Sequence, residues 1–247
     1  MIRLPRALAF AAVASLTGTT AGAQSATQPA NAAGSAKPAV SGPYGIEGYQ
    51  AGHAYFYVVP IVGGVVLVDT GAEDSAETVL AAVAGRPVKA ILLTHGHRDH
   101  FQGAYRLGDV PTYAHRRDIL RVLGREKSRG PLPGLLDRIF WPLPPPQHML
   151  PVRAGENLTI DGATFAAIHL PGHTAGGLAW LYRDVLFSGD ALLGGEKIGL
   201  SPFFFSDDSD EALRSARKLL NVPFKVMLDG HTGRTDDADS KLRDFLK

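Results

Sequence analysis

The sequence predicts an α/β fold built from two strand-rich halves, each followed by helices. Three observations predict it. Short runs rich in Val, Ile, Leu and Phe recur from residue 54 onward, and Gly, Pro or Asp stops many of them. Stretches with Ala, Leu and Val at helical spacing fall between and after these runs. Hydrophobic residues make up 45% and charged residues 20% of the 247, as expected of a chain that buries a core. The roughly 205 to 225 residues left after the N-terminal segment suit one α/β domain.

Taken in order, Ala54 to Pro60 and Val65 to Thr70 read as paired strands joined near Gly63 and Gly64. Asp74 to Val83 reads as a helix that Gly85 stops. Val88 to Thr94 is a buried strand, Asp99 to Leu107 a short helix, Val110 to Ala114 a strand and Arg116 to Arg125 a helix. Further strands are expected at Leu158 to Ile160, Ala163 to Leu170, Leu178 to Tyr182 and Val185 to Ser188. A helix over Asp208 to Leu220, a strand over Phe224 to Leu228 and a helix over Asp237 to Leu246 close the chain. The two halves share this strand-to-helix order without a short sequence repeat.

The N-terminus has a different character. Residues 1–23 carry Arg3 and Arg6, then the apolar run Ala7 to Leu16, then Ala21, Gly22 and Ala23 before Gln24. That is the order of a secretory signal peptide, and the run is too short to span a bilayer. A periplasmic or secreted location follows as an expectation. The chain has no cysteine, so neither a lipoprotein anchor nor a disulfide is available. Removing residues 1–23 takes away two bases and no acid, turning a net charge of +1 into −1. Neither value leaves a footprint for nucleic acid or an anionic membrane. Residues 24–42, rich in Ala, Ser, Pro and Gly, read as a flexible lead, and 43–247 as a single domain.

The densest chemistry lies in Thr94-His95-Gly96-His97-Arg98-Asp99-His100, directly after an apolar strand. Imidazole and carboxylate are the ligand set of a hydrolytic metal site. In extended chain His95 and His97 project to the same side, while Asp99 and His100 follow where the chain turns. Three later positions repeat the arrangement of an apolar run ending at a glycine beside a ligand: His173 after Gly172, Asp190 after Gly189 and His231 after Gly230. Ligands at such strand-to-loop junctions are fixed by the scaffold yet open to substrate.

In order and spacing these residues resemble the metallo-β-lactamase-fold hydrolases, over about residues 54 to 247. Val65 to Gly71 is similar to that family's early strand ending in Asp-Thr-Gly. The resemblance implies a four-layer αββα sandwich with two divalent metal ions at one edge of its sheets. His95, His97 and His173 would hold one ion, and Asp99, His100 and His231 the other, with Asp190 bridging. Asp69 would support the site from behind the ligands. Zinc is the expected ion, although iron and manganese tolerate the same donors. A water bridging two such ions gives a hydroxide nucleophile near neutral pH. Asp99 could orient it or accept its proton.

The substrate expected is a small molecule carrying an ester, thioester or lactone, because the carboxylate at Asp190 resembles glyoxalase II-type thioesterases and lactonases. Zinc β-lactamases usually have no carboxylate there. Sixteen residues follow His231, so glyoxalase II's helical glutathione module is not expected. A periplasmic β-lactamase, a phosphodiesterase and a periplasmic metal-binding protein without turnover are the alternatives, and loss of turnover on replacing Asp99 would exclude the last.

Outside the motif, residues 127–150 hold six prolines around Leu135, Leu136, Ile139, Phe140 and Trp141, which reads as a lid-like insert or a surface excursion. Phe203, Phe204 and Phe205 read more readily as core than as pocket. His53, His115 and His148 read as surface or hydrogen-bonded residues, and His169 as possible support for the ligands.

Overall fold

Along Ala54–Ile61 side chains alternate, and both faces are buried. Tyr57 and Val59 face one apolar cluster while Phe56 and Val58 face another. A strand apolar on both faces belongs inside a layered stack, and the same double alternation runs through most of the structure. That structure, a computed structural model, describes residues 36–73, 76–139 and 144–247. All lie in one compact unit. The expected signal peptide, most of the expected lead, Asp74, Phe140 and Trp141 fall outside the described residues, as do the side chains of residues 136–139.

Among the described residues the first sheet has seven strands in sequential order: β1 (Val40–Ser41), β2 (Glu47–Ala51), β3 (Ala54–Ile61), β4 (Gly64–Val68), β5 (Val88–Leu92), β6 (Pro111–His115) and β7 (His148–Val152). β1 to β4 pair antiparallel and β4 to β7 parallel. The second contains β8 (Asn157–Ile160), β9 (Ala163–His169), β10 (Leu178–Tyr182), β11 (Val185–Gly189), β12 (Val226–Asp229) and β13 (Arg234–Thr235), again in sequential order. Only β11 and β12 pair parallel there.

Between the sheets lies a core of Tyr57, Val66, Leu92, Phe165, Trp180, Phe187 and Leu228 among others. On the outer face of the first sheet Phe56, Leu67 and Ile91 pack against α1 (Glu77–Val83), α2 (Arg98–Phe101) and α3 (Arg116–Val122). On the outer face of the second, Ala179, Leu186 and Met227 meet α5 (Ser209–Lys218) and α6 (Ala238–Phe245). The layers are therefore helix, sheet, sheet, helix, as expected. α5 starts where Asp208 accepts the Glu211 amide at 2.9 Å, with acids in its first turn and bases in its last, a charge order that its dipole favours.

Several elements depart from the sequence reading. Val40 and Ser41, expected in the irregular lead, pair with β2. The proline-rich stretch is not one loop: it contains α4 (Pro131–Ile139) and opens β7. Pro151 is tolerated in β7 because that strand is the edge of its sheet. The helix expected over Asp99 to Leu107 is split into α2 and a 3-10 turn at Ala104–Leu107. Gly103 lies between them, and a Cβ there would sit 3.1 Å from the Thr70 carbonyl oxygen.

Trp180 is fully buried between the sheets, and its indole N–H donates to the Leu93 carbonyl at 3.0 Å, directly beneath the His95 segment. Trp180→Ala is expected to cost about 3–5 kcal/mol. Trp180→Phe, which mainly strips a buried carbonyl of its donor, should cost about 1–3 kcal/mol. Urea unfolding followed by circular dichroism checks both. Equal costs for the two variants would mean that the hydrogen bond, rather than ring volume, dominates.

Candidate metal centre

Strand direction gathers the site. β4 and β5 are parallel, and in the second sheet β9, β11 and β12 run the same way, because β10 is antiparallel to both β9 and β11. Asp69, the segment 94–100, His173, Asp190 and His231 all follow the C-terminal ends of these strands. All seven residues singled out from the sequence meet at that one edge.

His95 Nε2, His97 Nδ1 and His173 Nε2 form a triangle with sides of 3.1, 2.9 and 3.2 Å. Ligands of a tetrahedral zinc lie about 3.3 Å apart, given Zn–N bonds of about 2.0–2.1 Å. Burial lowers the pKa of each of the three rings, helped by charge on His100 beside His95 and His173 and on Arg121 beside His97. They are therefore held neutral, with lone pairs available to a cation.

The second group is charged. Asp190 Oδ2 lies 3.0 Å from His231 Nε2 and 3.6 Å from His173 Nε2, while its Oδ1 lies 3.3 Å from His100 Nε2. One carboxylate thus faces both sets of histidines. Asp99 Oδ2 is 3.8 Å from His100 Nε2 and 3.6 Å from His231 Nε2. Burial alone would raise both carboxyl pKa values, but His100 outweighs it and holds Asp190 and Asp99 below the usual carboxylate range. Reciprocally, Asp190 and its fellow carboxylates raise His100 despite burial, and Asp190 lifts His231 to about 9. His100 Nε2 and Asp190 Oδ1 are buried and have no hydrogen-bond partner among the described residues. Native interiors rarely leave such atoms unsatisfied, and this donor set of imidazole and carboxylate fits a divalent ion.

Ring orientation is set from behind. Asp69 accepts from the Thr94 amide at 2.8 Å, from Thr94 Oγ1 at 2.7 Å and from His100 Nδ1 at 2.8 Å. Thr94 Oγ1 then receives His95 Nδ1 at 3.1 Å. These contacts direct Nε2 of both rings into the site. Gly230 is required by space, since a side chain there would collide with Asp190 Oδ1.

Three supporting residues carried no signal in the sequence. Asp118 in α3 accepts from the Gly96 amide, Thr174 Oγ1 and the Gly176 amide, at 2.8, 2.7 and 2.9 Å. It fastens the His95–His97 loop to the His173 loop. Arg121, one helical turn on, sits 3.1 Å from His97 Nε2 and pairs with Asp207 at 2.5 Å. Asp207 in turn accepts the Arg129 and Gly130 amides leading into α4. Asp118 and Arg121, charged residues of a helix, ordinarily read as a solvated face and Asp207 as a loop acid, and only the long-range fold distinguishes them.

The other histidines divide. His53 is exposed and hydrogen-bonded, as the sequence reading has it, with Nε2 3.2 Å from Asp99 Oδ2 and its ring stacked on His231; it also lines the cavity. His148 pairs with Asp109 at 3.4 Å at the edge strand, as a surface residue. His115 and His169 stack on each other at 4.3 Å, and His169 Nε2 is 3.2 Å from the Ala175 carbonyl. His169 thus supports the loop after His173 and touches no candidate ligand. Above the centre opens a cavity of about 620 Å³ whose walls include Arg98, Gln102, Pro133, Pro202 and Phe205. Phe203, Phe204 and Phe205 are 72%, 40% and 37% exposed, so they are not core. Pro133 makes α4 part of the cavity wall.

This fold and this centre define a class, the metal-dependent hydrolases. Residues 49–231 match the model of the metallo-beta-lactamase superfamily, and the chain belongs to that family. It is 29% identical to the probable metallo-hydrolase YflN of Bacillus subtilis (strain 168), over 77% of this chain and 85% of that one. It is 30% identical to a hydroxyacylglutathione hydrolase of Hamiltonella defensa, over 66% of this chain but only 55% of that protein's length. The crystal structure of the BLEG-1 B3 metallo-beta-lactamase superposes with a TM-score of 0.64 at 26% identity, covering 82% of this chain and 99% of that one.

The two halves of the centre should take up metal differently. At pH 7 the neutral trio needs to lose no ring proton, whereas His231 and His100 must lose theirs. Calorimetric zinc titration of metal-free protein, in buffers of different ionisation enthalpy, should resolve a tighter step with little ring-proton release. A weaker step releasing about two protons should follow. Equal proton release in both steps contradicts the electrostatic division. Asp69→Ala should lower zinc affinity about 10- to 100-fold, measurable by competition with a chromophoric chelator.

Proposed function

We propose that this is an exported, dinuclear metal hydrolase that cleaves an ester, thioester or lactone bond. The observation that carries the dinuclear reading is Asp190, whose two oxygens face His100 on one side and His173 with His231 on the other. His95, His97 and His173 would hold one ion, Asp99, His100 and His231 the second, with Asp190 shared. Bound ions supply Lewis acidity toward the substrate oxygen and acidify water near neutral pH.

The chain's own residues do the rest. Asp99 is held ionised and stands at the cavity floor, where it can accept a proton or orient the attacking water. His53, beside it, steadies that carboxylate. Arg98 and Gln102 offer hydrogen bonds to a polar part of the substrate from the cavity wall. The similarity to hydroxyacylglutathione hydrolases favours an acyl bond, and the similarity to a B3 metallo-beta-lactamase keeps a β-lactam in the test. Export is supported by the basic, apolar and small-residue order of residues 1–23. Zinc is the ion we propose for a site with five imidazoles.

The test is metal content of the mature protein together with turnover of a thioester, a lactone, a β-lactam and a phosphodiester. Two ions per chain and chelator-sensitive turnover of an acyl substrate are expected. Asp99→Asn should lower kcat about 10²- to 10⁴-fold while the histidine trio keeps its ion. Fewer than one ion per chain, or turnover confined to the phosphodiester, overturns the reading. Amino-terminal sequencing of protein recovered from the periplasm should begin at Gln24.

A further inference from the structure

The cavity lining mixes charged and polar residues with apolar ones, and the apolar residues do not stop at the rim. Pro133, Leu193, Pro202 and Phe205 are the apolar residues of that lining. Outside it the row continues: Phe204 lies 4.7 Å from Phe205 and Phe203 lies 5.4 Å from Phe204, centroid to centroid. Leu135 of α4, which packs against this turn, is half exposed. Isolated exposed apolar residues need no explanation, but a contiguous apolar strip leading into a cavity marks a binding surface.

The strip is firmly placed relative to the candidate ligands. The Asp207 amide donates to the His173 carbonyl at 3.1 Å, and the Asp208 amide to the Gly172 carbonyl at 2.8 Å. Asp207 also holds the Arg129 and Gly130 amides at 2.7 and 2.9 Å, so α4 and the phenylalanine turn are tied to one carboxylate. A surface fixed in this way needs little ordering when a ligand arrives.

We propose that this strip binds an aliphatic chain of the substrate, running from Phe205 and Pro133 outward over Phe204, Phe203 and Leu135. The preferred substrate is then an ester or lactone whose acyl part carries a linear chain of roughly six to ten carbons, a length at which methylene burial dominates binding. Continuity decides the occupant: the strip begins in the cavity that Asp99, Asp190 and His231 also line. A chain attached to a carbonyl at those residues has this strip as its apolar exit. The near-zero net charge gives an anionic membrane no electrostatic hold. The substrate's identity and the turnover readout rest on the acyl-bond reading, whereas alkanoate binding tests the strip without it.

The experiment uses metal-loaded mature protein and two probe series, p-nitrophenyl esters and free n-alkanoates, each from two to twelve carbons. With esters, kcat/KM should rise about twofold per methylene up to about eight to ten carbons, less than the roughly fourfold of full burial. Alkanoate binding should tighten along the same slope. Phe205→Ala, and separately the double variant Phe203→Ser with Leu135→Ser, should flatten both slopes, whereas Val62→Ser, at an exposed site on the β3–β4 turn, should not. Rising alkanoate affinity without ester turnover sinks the acyl-hydrolase reading and leaves the strip standing. Flat slopes in both series overturn the strip. So does a slope unchanged in the variants, including the case where they instead alter the sedimentation of the protein or its binding to neutral vesicles.

Discussion

The carboxylate of Asp69 is the interaction on which the rest of the centre depends. It sits just past the end of β4 with φ of 59°, in the left-handed region, which costs a non-glycine residue roughly 1–2 kcal/mol and Asp less than most. In return it accepts three hydrogen bonds, from the Thr94 amide, the Thr94 hydroxyl and His100 Nδ1. Bonds to a charged acceptor contribute about 1.5–3 kcal/mol each, so they outweigh the backbone strain. The consequences spread from Thr94. Its carbonyl accepts the Leu178 amide of the opposite sheet at 2.7 Å, and its hydroxyl meets His95 Nδ1. One side chain thereby fixes the two sheets at their shared edge and orients two imidazoles.

Electrostatics then divides what the scaffold has gathered. The His95, His97 and His173 rings are desolvated and repelled by the neighbouring His100 imidazolium or Arg121 guanidinium, which keeps them neutral. His100 and His231 share the same few ångströms but lie against Asp190 and Asp99, which favour their protonated forms. Without ions the centre is a network of buried opposite charges. Such networks are costly unless every member is paired, and the orphaned atoms of His100 and Asp190 show that this one is not. Cations would replace the protons and complete the coordination, so the same residues serve folding and chemistry.

What the sequence made legible follows from how local each constraint is. The His95 to His100 cluster, His173, Asp190 and His231 are visible because each ends an apolar strand, and strand direction then does the rest. The central strands are visible because their alternation is buried on both faces. Edge elements are not: β7 contains Pro151 and β1 pairs over only two residues, so their periodicity is too short or too broken to register. α4 opens with two prolines in three residues, which reads as loop although proline is well suited to a first helical turn. Asp118, Arg121 and Asp207 were invisible for another reason. Their partners lie 22 to 86 residues away, and no local pattern encodes such a contact. His53 belongs with them, since only the fold of β2 and β3 carries it to Asp99.

This difference separates reaction from substrate. The motif residues sit at strand ends, where the scaffold allows little variation, and they specify what bond chemistry the edge can perform. Part of the cavity wall comes from α4 and the Phe203–Phe205 turn, segments joined to the scaffold through Asp207 and Arg121 rather than through a sheet. Arg121 also touches His97, so the wall and a candidate ligand are held by the same guanidinium. A change in the wall can alter which molecule fits without disturbing strand pairing, yet a change that displaces Arg121 would reach His97 directly. The apolar part of the wall therefore lies in sequence with no motif, anchored through the buried Arg121–Asp207 ion pair to the histidine cluster, while Arg98 and Gln102 supply polar wall from the motif side.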